Sequence, residues 1–477
     1  MKKPLFAVAL FALCAAFAFA EPQPVPGASL AEQFAWLRAH AASNTQYLIP
    51  VSASETIAPQ ELIPPPGRSN ISVTLRGNGA AHIISLDGDR SLFTVGSRLT
   101  LILDENITLQ GHPDNNTYLV RVNNGGRLIM NAGSGITGNT GGGVGVNSGG
   151  VFTMNSGAIW DNTGSTGAMG GHAKRGRSGG TGGVSNWGAF TMSGGTISGN
   201  TGGAGYSGDG DALSRRGGIG GVSNWGVFTM NGGEISGNSG GAGVGGNLGG
   251  SGGVFNSSVF AMHGGTISGN SGGAGGYNRW GIIGGIGGVN NSGRFTLYGG
   301  EISGNSGGAG TEANGTGTAD TDTAGWGGVG GVSNWGVFAM NGGIISGNTG
   351  NAAESMDVAA SPWLGWNGVG AVFNSGAFTM NGGEISGNSG GIAIWSVRHG
   401  VTSYGVFRIT NGIIYGNDAP PELGNPGGTL RIFGTGPAAT LAAVAQRGIF
   451  NSVGLFVSAG NISSTDNTIH VVDGILQ

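Results

Sequence analysis

Residues 220–241 read GGVSNWGVFTMNGGEISGNSGG, and nearly the same string stands at 182–203 (GGVSNWGAFTMSGGTISGNTGG) and at 330–351 (GGVSNWGVFAMNGGIISGNTGN). Near-identical strings of this kind specify a stacked repeat, because each copy must find in its neighbour the partner that it offers itself. Aligned on their first valine, the copies start at Val122, Val146, Val184, Val222, Val254, Val289, Val332, Val372 and Val401. The spacing between copies is irregular, whereas the spacing inside each is fixed. Six residues after the valine comes Leu128 or a phenylalanine, Phe190, Phe228 and Phe338 among them; two further on comes a methionine such as Met192, Met230 or Met340; five later comes an isoleucine such as Ile197, Ile235 or Ile345.

Phenylalanine and methionine two apart lie on one face of a strand, and the Gly-Gly between Met230 and Ile235 marks a turn into another. Three short strands per unit make one coil of a solenoid in which equivalent residues stack about 4.8 Å apart. The expected fold is therefore all-β: a right-handed parallel β-helix whose bore is filled by columns of Phe, Met, Ile and Val. Each buried side chain contributes roughly 1.5–3 kcal/mol, enough over nine coils to offset backbone entropy without disulfides. Asparagine supplies a second kind of column: Asn139, Asn200, Asn238, Asn270, Asn305, Asn348 and Asn388 in the SGN triplet, and Asn124, Asn186, Asn224, Asn256, Asn291, Asn334 and Asn374 after the valine. An amide donates to one coil and accepts from the other, so these read as structural ladders. A catalytic residue is needed once, not in every coil.

Glycine accounts for 107 of 477 residues and only 9% are charged, but 38% are hydrophobic and hold a fixed phase, so the glycines read as turns rather than disorder. The net charge of −4 argues against a nucleic-acid partner, since only HAKRGR at 172–177 approaches a basic cluster. Residues 1–20, with Lys2, Lys3, an apolar run and Ala18-Phe19-Ala20, have the parts of a secretory signal. Leu13 stands before Cys14 where a lipidation site takes a small residue, so cleavage after Ala20 is expected and leaves no cysteine. No later segment is long and apolar enough to span a membrane. The expected location is extracellular or the outer cell surface, with the periplasm as the alternative.

Residues 21–68 read as an N-terminal cap and linker. Ser29-Leu30-Ala31-Glu32 is a capping-box pattern, and Leu30, Phe34, Leu37 and Ala41 share a helix face suited to closing the bore. Alternation in ISVTL (71–75), LTLIL (99–103) and TYLVRV (117–122) puts the solenoid at 69–417, with clear repeats from about 120. Beyond Ala419-Pro420-Pro421, residues 418–477 are expected to form terminal coils and a C-terminal cap.

The pairing of GGV with F-x-x-N, as in Gly221-Val222 and Phe228-Thr229-Met230-Asn231, resembles the repeats of bacterial polymorphic outer-membrane proteins. The fold resembles the β-helix of the pectate-lyase-like superfamily. The resemblance covers about residues 120–417 and implies surface adhesion by an autotransporter passenger. The chain departs from that pattern after the last repeat: residues 418–477 are too few for a membrane barrel, and the closing DGILQ lacks a terminal aromatic.

Pectin-active β-helices gather acidic and basic groups in one cleft, with calcium or paired carboxylates. Here Glu234, Glu301 and Glu384 sit beside the inward isoleucine and are replaced in other coils by Thr196, Thr266, Ile344 or Ile413, which fits a solvated rim. Asp209 with Asp211, and Asp320 with Asp322, are loop pairs of the kind that ligate calcium, though neither continues into a known calcium loop. No other cofactor is expected. The insertions all fall between SGN and the next GGV, so long loops emerge along one edge, where repeat proteins place binding surfaces. They carry Tyr206, Tyr277, Trp280, Trp326, Trp363 and Trp366, with Trp395 near by, either as stacking platforms for a glycan or as anchors for the loops. A further flat, mostly uncharged face runs through Val227/Thr229, Val259/Ala261 and Val337/Ala339 and suits lateral self-association. The resulting expectation is an exported, non-enzymatic protein that contacts a glycan or a host or cell-surface protein through its loops. The alternatives are a polysaccharide lyase or hydrolase, and a structural surface-layer component.

Overall fold

The computed structural model describes residues 21–167, 178–205, 216–244, 248–276, 284–310, 327–351 and 368–390; beyond residue 400 it describes 401–403, 406–409, 411–415 and four short strand segments. Among these residues the strands form three long sheets. In the repeat quoted above, Val222–Asn224 belongs to sheet C, Val227–Met230 to sheet A and Glu234–Ser236 to sheet B, after which the chain returns to sheet C one coil further on. Each strand pairs in parallel with its equivalents, so that Val184, Val222 and Val254 align, as do Phe190, Phe228 and Phe260, and Ile197, Ile235 and Ile267. The result is a right-handed parallel β-helix, as parallel crossovers favour.

The period of two decides the core. Phe228, Met230, Ile235 and Val222 are fully buried, while Val227, one residue from Phe228, is 48% exposed. The phenylalanine rings from Phe152 to Phe378 form one continuous stack: Phe190 and Phe228 lie 4.7 Å apart, Phe228 and Phe260 4.6 Å, and Phe295 and Phe338 4.9 Å, all nearly parallel. Beside sheet B, the Asn200 side-chain amide donates to Asn238 Oδ1 at 3.0 Å, Asn238 to Asn270 at 2.9 Å, and Asn348 to Asn388 at 2.8 Å. The same Asn238 nitrogen also donates to the Ile197 carbonyl of the preceding coil. A second ladder runs from Asn186 through Asn224, Asn256, Asn291 and Asn334 to Asn374. Buried turn groups that the sheets leave unpaired are satisfied in this way.

The N-terminal cap forms as expected. The helix Leu30–His40 begins at Ser29, whose hydroxyl accepts from the Glu32 amide, while the Glu32 carboxylate reaches back to the Ala28 amide. Leu30, Phe34 and Leu37 are buried, and Phe34 meets Phe93 edge-on at 5.3 Å. One boundary and one register differ from the expectation. All three sheets are under way before residue 69, since Gln46–Val51, Glu55–Ile57 and Gln60–Leu62 already pair with the next coil. The first two copies are also misaligned by valine alone: Val120 and Val144 pair with Val184, while Val122 and Val146 fall in register with Asn186. The corner into sheet A is two residues longer there, so Asn124 lies outside the ladder, which starts at Asn186. At the far end, Leu430–Ile432 extends sheet C in parallel, and the segments beyond it pair antiparallel.

On the edge between sheets B and C the chain leaves the solenoid and returns, and there the glycines do more than turn. Gly202 and Gly205, three residues apart, both donate to the next outgoing segment, at Ser239 and Ala242. Gly217 and Gly220 likewise donate to the next incoming segment, at Leu248 and Ser251. Between the two layers, Gly203 donates to Gly180, Gly218 to Gly203, Gly241 to Gly218 and Gly250 to Gly241, a zigzag that continues to Gly328. Hydrogen bonds repeating every three residues are the signature of the three-fold extended helix, so the loop stems form a two-layer polyglycine fin. A Cβ on Gly203 would lie 2.0 Å from the Ser165 carbonyl oxygen, and one on Gly218 2.0 Å from that of Gly180. The third position of the outgoing stems faces outward and is Thr166 in the first and alanine in the next four: Ala204, Ala242, Ala274 and Ala309.

Candidate binding surface

The outward column of sheet C is enclosed on both sides. Ser185, Ser223, Ser333 and Phe373 point away from the bore, yet they are buried. On one side stands the incoming layer of the fin, whose Ile286, Val329 and Val369 pack with Phe373 into a second apolar cluster. On the other stands the corner between sheets C and A. There the indole nitrogen of Trp225 donates to Ser223 Oγ at 3.1 Å, and that of Trp335 to Ser333 Oγ at 3.1 Å, which tilts both rings over sheet C.

These corner tryptophans remain open to solvent: Trp187 is 53%, Trp225 43% and Trp335 54% exposed. Trp187 and Trp225 stack 5.0 Å apart with an interplanar angle of 5°, and Phe255 leans on Trp225 at 5.3 Å and 52°. Trp335 meets Phe373 at 5.6 Å. Backbone bonds fix the register of this column: the amides of Trp225, Ser257, Ser292 and Trp335 donate in turn to Asn186, Asn224, Asn256 and Asn291. Serine therefore replaces tryptophan in two successive coils. There the outward residues of sheet C, Phe255 and Asn290, are only half-buried. Rings of this size left exposed along one line are a recognised mark of an interaction surface.

Near the start of the fin, the Tyr118 ring lies against the backbone of Gly142 and Gly145. Burial raises its pKa above the usual tyrosine value of 10.0, opposed by hydrogen bonds to Ser185 and Thr181.

The aromatic loop residues Tyr206, Tyr277, Trp280, Trp326, Trp363 and Trp366, and the acidic pairs Asp209, Asp211, Asp320 and Asp322, lie outside the described residues, as does Trp395. What is described is the footing of those loops, the fin, which roots them all on one edge. Among the described residues no group of three His, Cys, Asp or Glu side chains is placed to hold a metal ion. Glu234, Glu301 and Glu384 share one outward column of sheet B, separated by Thr266 and Ile344. Neighbouring carboxylates thus stand two coils, roughly 10 Å, apart, wider than the ~5–5.5 Å of a retaining pair. Ser346 donates to Glu301 and Ser386 to Glu384. The described strands of that sheet carry no lysine or arginine.

The corner tryptophans were not singled out by sequence reasoning because they sit inside the repeated SNW string and read as part of the scaffold. A usable signal was present: one site alternating between Trp and Ser cannot belong to a packed column. Comparison with known proteins adds no likeness, since no family, no curated protein and no solved structure matches the chain.

Proposed function

We propose that this protein is an exported, non-enzymatic β-helix that acts at the cell surface or outside the cell, binding a glycan or a surface protein along its loop-bearing side. The observation that carries this reading is the corner column of Trp187, Trp225 and Trp335, each about half exposed, with Trp225 and Trp335 held by indole–serine hydrogen bonds and Trp187 stacked on Trp225. Aromatic rings with an apolar face and a satisfied N–H are favoured at interfaces. The column and the incoming layer of the fin stand on the two sides of the outward face of sheet C. The signal-like residues 1–20 support export.

The test is a glycan array and a cell-adhesion assay with purified protein and the triple variant W187A/W225A/W335A. Losing recognition aromatics commonly costs at least about 2 kcal/mol of binding, a roughly thirtyfold loss of affinity. The expected result is that loss with an unchanged β-sheet circular dichroism spectrum. Retained binding by a folded triple variant would overturn the assignment of the surface, and turnover of a polysaccharide by the unmodified protein would favour the enzymatic alternative.

A further inference from the structure

The roof of tryptophans over sheet C opens across two coils, where Ser257 and Ser292 hold the corner. Phe255 leans on Trp225 and fills the near side of the gap. Two coil rises further on, about 10 Å, stands Trp335, which meets Phe373 of the following coil. A saturated ring between two aromatic surfaces needs two contacts of about 3.5–4.0 Å, so the notch accommodates one ring and not two. Its back is closed by the fin, where Ser251 and Ile286 are buried and Ser251 Oγ accepts from the Asn290 amide at 3.3 Å. Asn290 and Ser292 provide amide and hydroxyl groups at the floor.

Charge selects the ligand. From Val184 to Met380 the described strands of sheets A and C carry a single charged residue, Arg294, two positions beyond Ser292 on the same coil. It is exposed, and among the described residues it forms no salt bridge. We infer that the notch between Phe255 and Trp335 receives the chain-terminal pyranose ring of a glycan, one that bears a carboxylate. The ring stacks on Trp335, its hydroxyls bond to Asn290 and Ser292, and its carboxylate pairs with Arg294. A guanidinium binds a carboxylate through two parallel charge-assisted hydrogen bonds, an advantage that a neutral sugar lacks. Closure on three sides favours a terminal ring over one inside a chain.

This inference rests on the glycan-binding reading and is separable from it. Calorimetric titration of the full chain with sialyllactose, lactose and a long polygalacturonate provides the test. Sialyllactose is expected to bind at least tenfold more tightly than lactose, with one site per protein, and R294A to bring it to the level of lactose. W335A is expected to lose binding of both. R127A removes the same charge from the outward face of sheet A away from the notch and should change neither. Equal affinity for lactose and sialyllactose, or a preference unaffected by R294A, would overturn the notch while leaving glycan binding intact. Binding of polygalacturonate at many sites along its length would overturn the terminal-ring assignment. Absence of binding to every glycan would remove both readings.

Discussion

In the bore, successive coils meet through side chains: Phe228 stacks between Phe190 and Phe260, and Asn238 bridges Asn200 and Asn270. In the fin the two layers meet through backbone, with Gly241 donating to Gly218 and accepting from Gly250. Both regions keep one coil in step with the next, but they constrain the sequence in opposite ways. The bore requires a particular volume at each position, whereas the fin requires no volume at all at two positions in three. The fin can therefore carry loops of very different length, because the stems pair before the chain diverges. Between Gly205 and Arg216 ten residues intervene, and between Val244 and Leu248 only three, yet the stems on either side keep the same bonding.

The largest effect that would break this contrast is expected in the bore. Phe228→Ala should destabilise by about 3–5 kcal/mol, because the cavity opens inside a stack whose neighbours are held by their own strands. Thr229→Ala, on the outward face of the same strand, should stay within about 0.5 kcal/mol. Denaturant unfolding compares them, and equal losses would mean that the inward and outward faces are misassigned. A smaller effect is expected in the fin. Gly241→Ala would put a Cβ 1.9 Å from the Gly203 carbonyl oxygen, and such overpacking costs about 1–3 kcal/mol. Ala242→Ser, one residue on at the exposed third position, should be silent. Hydrogen exchange should show protection lost in the stems of G241A while the amides of Phe228 and Ile235 keep theirs.

The smallest effect sharpens the boundary between the two regions, where Tyr118 lies at the start of the fin. Burial raises its pKa in the folded state, so between the unfolded and folded values the unfolded chain binds fewer protons. Its contribution to stability is therefore complete below pH 10 and is lost as pH rises through the folded value. Thermal melts of the protein and Tyr118→Phe should differ in slope only above about pH 10. Parallel curves across that range would show that the hydroxyl is not desolvated.

Much of this molecule was legible along the chain. The offsets joining Val222, Phe228, Met230 and Ile235 gave the strands, their inward faces and the parallel pairing, because a period of two and a repeated turn leave little else for those residues to do. Ser29 and Glu32 marked the helix cap. Alignment by valine failed at Val122 and Val146 because in those coils two valines of one strand both face the bore, and only pairing tells which one meets Val184. The candidate site was less legible. The loop aromatics drew notice by their isolation in glycine-rich sequence, whereas Trp187, Trp225 and Trp335 were concealed by repetition.

The sequence by itself determined the coil, since hydrophobic phase and turn glycines are local quantities that each repeat states in full. It also fixed the asparagine column beside sheet B and, Asn124 apart, the second column, because an amide recurring in coil after coil has a ladder as its natural use. What glycine was for depended on tertiary structure. A run such as Gly-Gly-Ala-Gly is compatible with a turn, a flexible linker or a packed three-fold helix, and only the approach of a second backbone to within hydrogen-bonding distance selects the last. Tertiary structure likewise decided that Trp225 leans over sheet C, because the hydroxyl that accepts its indole proton belongs to Ser223, and the tilt comes from that bond and not from the order of residues.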